Sequence, residues 1–410
     1  MRKEKVTGLV LMAMVFCVMT GFAAERSVAG AQADAGKAKP RFKGPVKVFI
    51  LAGQSNMEGM GSNDILDRLG EHPTHGYLLK KVKNADGSFV VRDDVFVSYQ
   101  HGEEKIKRPL SVGMGGWGKD WFGPELLFGV GMGDFYKKAF FSGKENPVLL
   151  IKTCWGGHSL YGNFRPPSAG KAAYETGYKP EEIGASYQKM VKEVRECLAN
   201  MDTDFPQLKG LKTEICGFVW FQGWNDMCQP GDNIRKQVYD EYCPNFVHMV
   251  QDLRAEFKVP NLPAVVGELG VGGEKADKNM IDFRAGQAKI ATAPELAGTI
   301  GYVRTAPFWY PELDDLPRKV QGEEGRVRNA AALRVKEQMK DKPESSDPKK
   351  MEQLVREAGD KALLDDAEYQ KAKKECDSHV RNWYCHYQGS ARVYSMVGFS
   401  LAEAMKPLLK

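Results

Sequence analysis

Val46-Lys47-Val48-Phe49-Ile50-Leu51-Ala52-Gly53-Gln54-Ser55-Asn56-Met57 is the stretch whose reading decides the fold. The apolar run from Val46 to Ala52 predicts a strand buried on both faces. Gly53 permits a tight turn at its end. A serine leaving a buried strand stands where α/β sheets open onto their active-site crevice. The backbone N–H groups of a following helix would face an oxyanion there. Read by itself, Ser55 also suits a helix N-cap.

Two further segments have the same form. Pro147 to Ile151 is apolar and leads into Lys152-Thr153-Cys154-Trp155-Gly156-Gly157-His158-Ser159. Ile215 to Val219 leads into Trp220-Phe221-Gln222-Gly223-Trp224-Asn225-Asp226. Near the C-terminus stands Tyr384-Cys385-His386-Tyr387-Gln388-Gly389-Ser390-Ala391. A Ser, a Gly, an Asn and a His on four separate blocks, in this order, resemble the SGNH hydrolase superfamily. The Gly-Gln-Ser-Asn-Met block is similar to that of the sialate O-acetylesterase-like branch, carbohydrate esterase family 6. Phe122-Gly123-Pro124-Glu125-Leu126 and Phe164-Arg165-Pro166-Pro167-Ser168 resemble that branch too. The resemblance runs from about Val46 to the C-terminus and skips roughly Glu323 to Cys376.

The resemblance implies a three-layer, flavodoxin-like α/β fold and a serine esterase acting on O-acetylated carbohydrate. It makes Ser55 the nucleophile and His386 its base, since a serine hydroxyl needs such a partner and histidine titrates near working pH. Ser55 N–H, a glycine N–H from Gly156 or Gly157, and the Asn225 side chain become the oxyanion donors. Gln54, Trp155, Arg165, Gln222 and Trp224 are candidate substrate contacts. Arg165 would hold a carboxylate or a hydroxyl, or merely form a surface ion pair. Relatives often carry Glu where this chain has Trp224. They often carry Asp three residues before the histidine, where this chain has Trp383. A backbone carbonyl near Trp383 or an acid from elsewhere, with Asp377 and Glu268 as candidates, would then orient the imidazole. His158 and His379 compete with His386 for the role of base. Trp117, Trp121, Trp155, Trp224, Trp309 and Trp383 are candidate sugar-stacking rings or ordinary core.

Five apolar runs predict strands: Val46 to Ala52, Pro147 to Lys152, Ile215 to Phe221, Ala264 to Gly267 and Thr299 to Arg304. Helical spacing separates them over Pro124 to Phe140, Ser186 to Met201 and Tyr239 to Phe257. Alternating strands and helices predict a parallel sheet with helices on both faces. Tyr161 to Gly184 follows the Gly-Gly block as a substrate loop or lid. The charged insertion of about 323–376 reads as a solvated helical hairpin or a cap over the site.

Basic residues followed by the apolar run Val6 to Ala24 predict a signal peptide over 1–23, hence export to a periplasm or the exterior. A flexible linker over 24–44 and one catalytic domain over 45–410 follow. Among 410 residues, 42% are hydrophobic, ample for a core, and the net charge of +5 carries no basic stripe interleaved with aromatics. That leaves nucleic-acid binding without support. Beyond the signal segment no run is long enough to span a bilayer. Cys-x-x-Cys and His-x-x-x-His spacings are absent, which speaks against a metal site. No metal or organic cofactor is implied. Cys17 would leave with the signal segment, and the remaining odd number of cysteines leaves at least one free thiol. Cys228 and Cys243 are a candidate pair. The rival readings are another SGNH acyl hydrolase or acyltransferase, and a carbohydrate-binding protein that has lost turnover on the same fold.

Overall fold

A computed structural model describes residues 42–138, 145–172 and 177–409. The predicted signal segment and residues 24–41 of the predicted linker lie outside them. Phe42 is buried and meets Phe96 edge-on, so the last residues assigned to the linker pack on the body.

The chain runs β1 (Val46–Gly53), α1 (Ser55–Glu58), β2 (Gly61–Ser62), β3 (Val95–His101), β4 (Glu104–Pro109), β5 (Trp121–Phe122), α2 (Glu125–Lys138) and β6 (Val148–Cys154). Then come α3 (Ala185–Ala199), α4 (Met201–Asp204), β7 (Thr213–Phe221), α5 (Trp224–Met227), α6 (Asp232–Phe257), β8 (Ala264–Gly267), α7 (Lys278–Ala288) and β9 (Ile300–Val303). Four helices complete it: α8 (Glu312–Met339), α9 (Pro348–Asp365), α10 (Ala367–Asp377) and α11 (Ala391–Met405).

Seven strands form one sheet in the order β4-β3-β6-β1-β7-β8-β9, while β2 and β5 pair separately. All pairings in the large sheet are parallel except β3 with β4. The fold is therefore mixed α/β with a mostly parallel sheet. β1 lies between β6 and β7, and side chains alternate across it. On one face Phe49 of β1 meets Phe128 of α2 edge-on at 5.4 Å. An added Cβ at Gly217 of β7 would come 2.7 Å from Met405 of α11, so that helix lies against the same face. On the other face Phe218 and Trp220 of β7 pack on Phe246 of α6. Both faces are thus covered, which is why β1, β6 and much of β7 read as continuous apolar runs.

The five predicted strands are present. The hairpin β3–β4 is additional. Only Ile106 of β4 is buried, and its neighbours are charged, as an exposed sheet edge requires. The charged insertion holds three helices rather than a hairpin. α8 starts at Glu312, ahead of the expected boundary, and α10 runs into the turn that carries His386.

Candidate active site

The chain leaves β1 for one side of the sheet and returns beyond it to the other, so β1 marks the point where strand order reverses. Ligand crevices form outside the carboxyl ends of strands at such a point. The ends of β6, β1 and β7 carry Gly156-Gly157, Ser55 and Asn225 respectively. Gly53 lets the strands end this close together: a Cβ there would sit 2.2 Å from the Phe221 carbonyl oxygen. Gly156 adjoins the serine, since its Cβ would lie 3.8 Å from Ser55 Cβ.

Gln54 organises this end of the sheet. Its Oε1 accepts from Gly223 N and Asn225 N, both at 3.2 Å, and from Gln222 Nε2 at 3.0 Å. Two of these donors are backbone N–H groups, so the identity of that oxygen is fixed. Gln54 Nε2 must then donate, and it does so to Asn225 Oδ1 at 2.9 Å. Asn225 in turn has its Nδ2 on the other side, where it donates no hydrogen bond among the described residues. Ser55 N–H, at the first position of α1, has no partner inside the helix. Gly157 N–H also makes no hydrogen bond among the described residues. These three unengaged donors stand at the adjacent ends of β1, β6 and β7.

Asp226 is fully buried and accepts from Leu160 N and Tyr161 N at 2.9 Å and from Gln222 Nε2 at 2.6 Å. Burial pushes its carboxyl up to about 6, against the pull of those hydrogen bonds. It staples the loop after β6 to the end of β7. Beneath α1, Lys152 donates to Glu58 O at 2.6 Å, Met114 O at 2.7 Å and Glu125 Oε2 at 2.9 Å. Both members of that ion pair are wholly buried. Glu58 itself is lifted to about 7 by burial, with Lys152 and the Gly156 N–H pulling the other way.

The histidine arrives on an irregular turn. Tyr387 and Gln388 have φ of +49° and +54°, followed by Gly389 at +67°. A non-glycine residue held there costs about 1–3 kcal/mol and persists only where its surroundings over-determine it. Here Tyr387 OH accepts from Gly270 N at 2.8 Å, Gln388 Nε2 donates to Leu313 O at 3.1 Å, and Gln388 O accepts from Arg381 N at 2.8 Å. Asn56, next to Ser55, donates to Cys385 O at 3.1 Å and accepts from Tyr394 OH at 2.8 Å. The residue after the serine thereby holds the residue before the histidine. His386 is buried, and burial alone lowers its pKa to about 4.

The other candidates separate cleanly. His158 bonds Ser186 Oγ through Nδ1, and His379 turns to Ser378 and the Glu375 carbonyl. Gln222 and Gln54 are buried in the hydrogen-bond web described above, so they position the site rather than face a ligand. Arg165 donates to the carbonyls of Tyr161, Ala169, Gly170 and Lys171 and shapes the loop after β6 from within. Trp155 stacks on Phe164 at 5.6 Å, and Trp224 is half-buried. Glu268 accepts from Thr305 N and Ala306 N, and Asp377 pairs with Lys373, so neither orients His386. Asn382 Oδ1, 3.2 Å from His386 Nδ1, is the group found there. The sequence offered one signal for it, a short polar side chain one helical turn before the histidine. All seven described cysteines, Cys228 and Cys243 among them, are free thiols.

The family described as carbohydrate esterase, sialic acid-specific acetylesterase matches residues 45–298. His386 lies beyond that span. A probable carbohydrate esterase of Arabidopsis thaliana is 22% identical over 255 residues, 61% of this chain and 80% of the relative. Among solved structures, an Arabidopsis thaliana protein aligns at 16% identity over 64% of this chain and 86% of its own, with a TM-score of 0.39. A carbohydrate acetylesterase of Xanthomonas citri aligns at 15% identity over 65% and 51%, with a TM-score of 0.36. NanS aligns at 16% identity over 64% and 79%, again with a TM-score of 0.36. The matched span is more than half of the chain and contains Ser55, the Gly-Gly loop and Asn225; the protein belongs to the carbohydrate esterase family of sialic acid-specific acetylesterases.

Proposed function

We propose that the protein is an exported serine esterase that removes O-acetyl groups from carbohydrate. One observation carries the reading. Three donors without partners among the described residues, Ser55 N–H, Gly157 N–H and Asn225 Nδ2, stand at the adjacent ends of β1, β6 and β7, and Asn56, next to Ser55, bonds the histidine turn. His386 takes the Ser55 proton as Oγ adds to the acetyl carbonyl carbon, and the three donors receive the oxyanion. Collapse expels the sugar oxygen, which takes the proton back from the imidazolium. Water, deprotonated by the same histidine, then cleaves the acyl-enzyme and releases acetate. Among the glycines, Gly157 is the preferred donor because the Gly156 N–H faces the Glu58 carboxylate.

The strand order, with helices on both faces, supports the three-layer flavodoxin-like arrangement of SGNH hydrolases. Export rests on the basic start and apolar run of residues 1–23. Arg165 offers no guanidinium to a sugar carboxylate, having spent it on backbone carbonyls, and this favours a neutral acetylated sugar over a sialate.

Acetate release from a chromogenic acetyl ester and from a panel of acetylated glycans tests the reading. Short acyl chains on neutral sugars should be cleaved, and Ser55→Ala should not cleave them. Binding of the glycans without acetate release would establish the carbohydrate-binding alternative, and preference for long acyl chains a different acyl hydrolase.

A further inference from the structure

A triad carboxylate does two things: it holds the imidazole in one tautomer and it stabilises the imidazolium. Around His386 two uncharged residues occupy the places from which these tasks are done. Asn382 Oδ1 accepts from Trp383 N at 2.7 Å, which fixes that atom as the amide oxygen. His386 Nδ1 lies 3.2 Å from the same oxygen. An amide oxygen only accepts, so Nδ1 carries the proton and Nε2 is left bare as the base. Gly389 makes the approach possible, for a Cβ there would come within 2.9 Å of Asn382 N and Cβ. Asn382 Nδ2 is buried and has no hydrogen-bond partner among the described residues. A buried unpaired amide is costly, so the residue is retained for its oxygen.

The ring of Trp383 stacks on His386 at 5.7 Å with 24° between planes. Trp117 stands edge-on to both, 5.9 Å from the imidazole and 5.3 Å from Trp383. An indole face attracts a cation within about 6 Å of its centroid. We infer that Asn382 and Trp383 divide the work of the triad acid: Asn382 fixes the Nδ1–H tautomer, and the Trp383 face receives the positive charge that His386 gains from Ser55. Both are positioning residues acting through His386. This rests on the reading of Ser55 and His386 as nucleophile and base.

The titratable groups on the surrounding elements are Glu58 at the end of α1, His101 at the end of β3, Lys119 and Asp120 beyond Trp117, Asp226 in α5, His158 after β6, and Arg381 and Cys385 on the histidine's own turn. None adds to or opposes the effect of burial on His386. Burial alone thus holds the His386 imidazole neutral down to about pH 4.

The test is the pH profile of kcat and KM on an acetyl ester, with thermal unfolding as fold control. Asn382→Ala should lower kcat on the order of a hundredfold or more at unchanged KM, as loss of the correct tautomer does. Asn382→Asp should retain activity and move the acid limb upward, because a carboxylate favours imidazolium. Trp383→Ala should lower kcat about tenfold or less, the scale of one cation–π contact, with Trp383→Phe keeping most of it. In the Asn382→Asp, Trp383→Ala double variant the carboxylate should recover that loss. Imidazole nitrogen spectra of the wild type at pH 6 should show a protonated Nδ1 and a bare Nε2, whatever the variants do. An Nε2–H tautomer, or an acid limb that Asn382→Asp leaves in place, overturns the proposal. A Trp383→Ala effect on KM alone makes that ring a sugar contact and overturns its half. If wild type and Ser55→Ala are equally inactive, it is the esterase reading that fails instead.

Discussion

The strand ends and the histidine turn hold the proposed catalytic groups in different ways. At the ends of β1, β6 and β7 a web of buried side chains holds the loops: Gln54, Gln222 and Asp226 satisfy one another and the loops beside them. The histidine turn is held against strain by hydrogen bonds at Tyr387, Gln388 and Cys385 and by packing. Two non-glycine residues sit at positive φ, an amide is left unpaired, and the walls around the imidazole are aromatic. The first region is preorganised by a web of side-chain hydrogen bonds, and the second by hydrogen bonds and packing that together hold a strained backbone. An oxyanion needs fixed dipoles, whereas the buried His386 stands against the rings of Trp383 and Trp117, which are themselves exposed.

The largest expected effect erases the comparison, because both regions must act as one unit. Ser55→Ala and His386→Ala should each lower turnover by up to about 10⁶-fold, with the double variant no worse than either single. Additive losses in turnover would show that the two regions work independently.

The next breaks the strand-end region from beneath. Lys152→Met leaves Glu125 buried and unpaired, and should cost about 3–5 kcal/mol in denaturant unfolding. A change below about 1 kcal/mol would mean that the ion pair does not hold α1 in place.

A third sets the regions against each other through pH. Asp226 is raised to about 6 in the fold, so its contribution is full below about 4 and lost as pH rises through 6. His386 is lowered to about 4 from an ordinary 6.5, so its contribution is full above 6.5 and lost as pH falls through 4. The two contributions are opposite in sign between pH 4 and 6. Relative to the wild type, the stability of Asp226→Asn should therefore rise with pH in this window, and that of His386→Gln should fall. Parallel curves for the two variants would contradict the opposite assignments.

The smallest sharpens the oxyanion side alone. Asn225→Ala should cost about a hundredfold in kcat at nearly constant KM, the effect of losing one oxyanion donor. An unchanged kcat would reduce Asn225 to a turn residue.

The same contrast explains what the sequence discloses. Buried parallel strands are continuous apolar runs, so Val46 to Ala52 and its two counterparts announce their own ends, and the residues that follow are read off directly. Strand β4 hides because an edge exposes its charges, with Ile106 its one buried side chain. Helix α8 begins early because Pro317, Gly322 and Gly325 break the expected spacing without breaking the helix. Asn382 shows in the sequence only as a short polar side chain one helical turn before the histidine. Its place beside His386 depends on three successive positive-φ residues and on the close approach at Gly389, and spacing along the chain encodes neither.

The most direct test of the central claim is covalent trapping. Treated with a serine-reactive fluorophosphonate, the protein should take up one adduct, which peptide mapping places on Ser55, and acetate release should stop in proportion. Labelling should be lost in Ser55→Ala and slowed severely in His386→Ala, where no base takes the serine proton. An adduct on another residue, or undiminished acetate release from fully labelled protein, would contradict the serine–histidine mechanism.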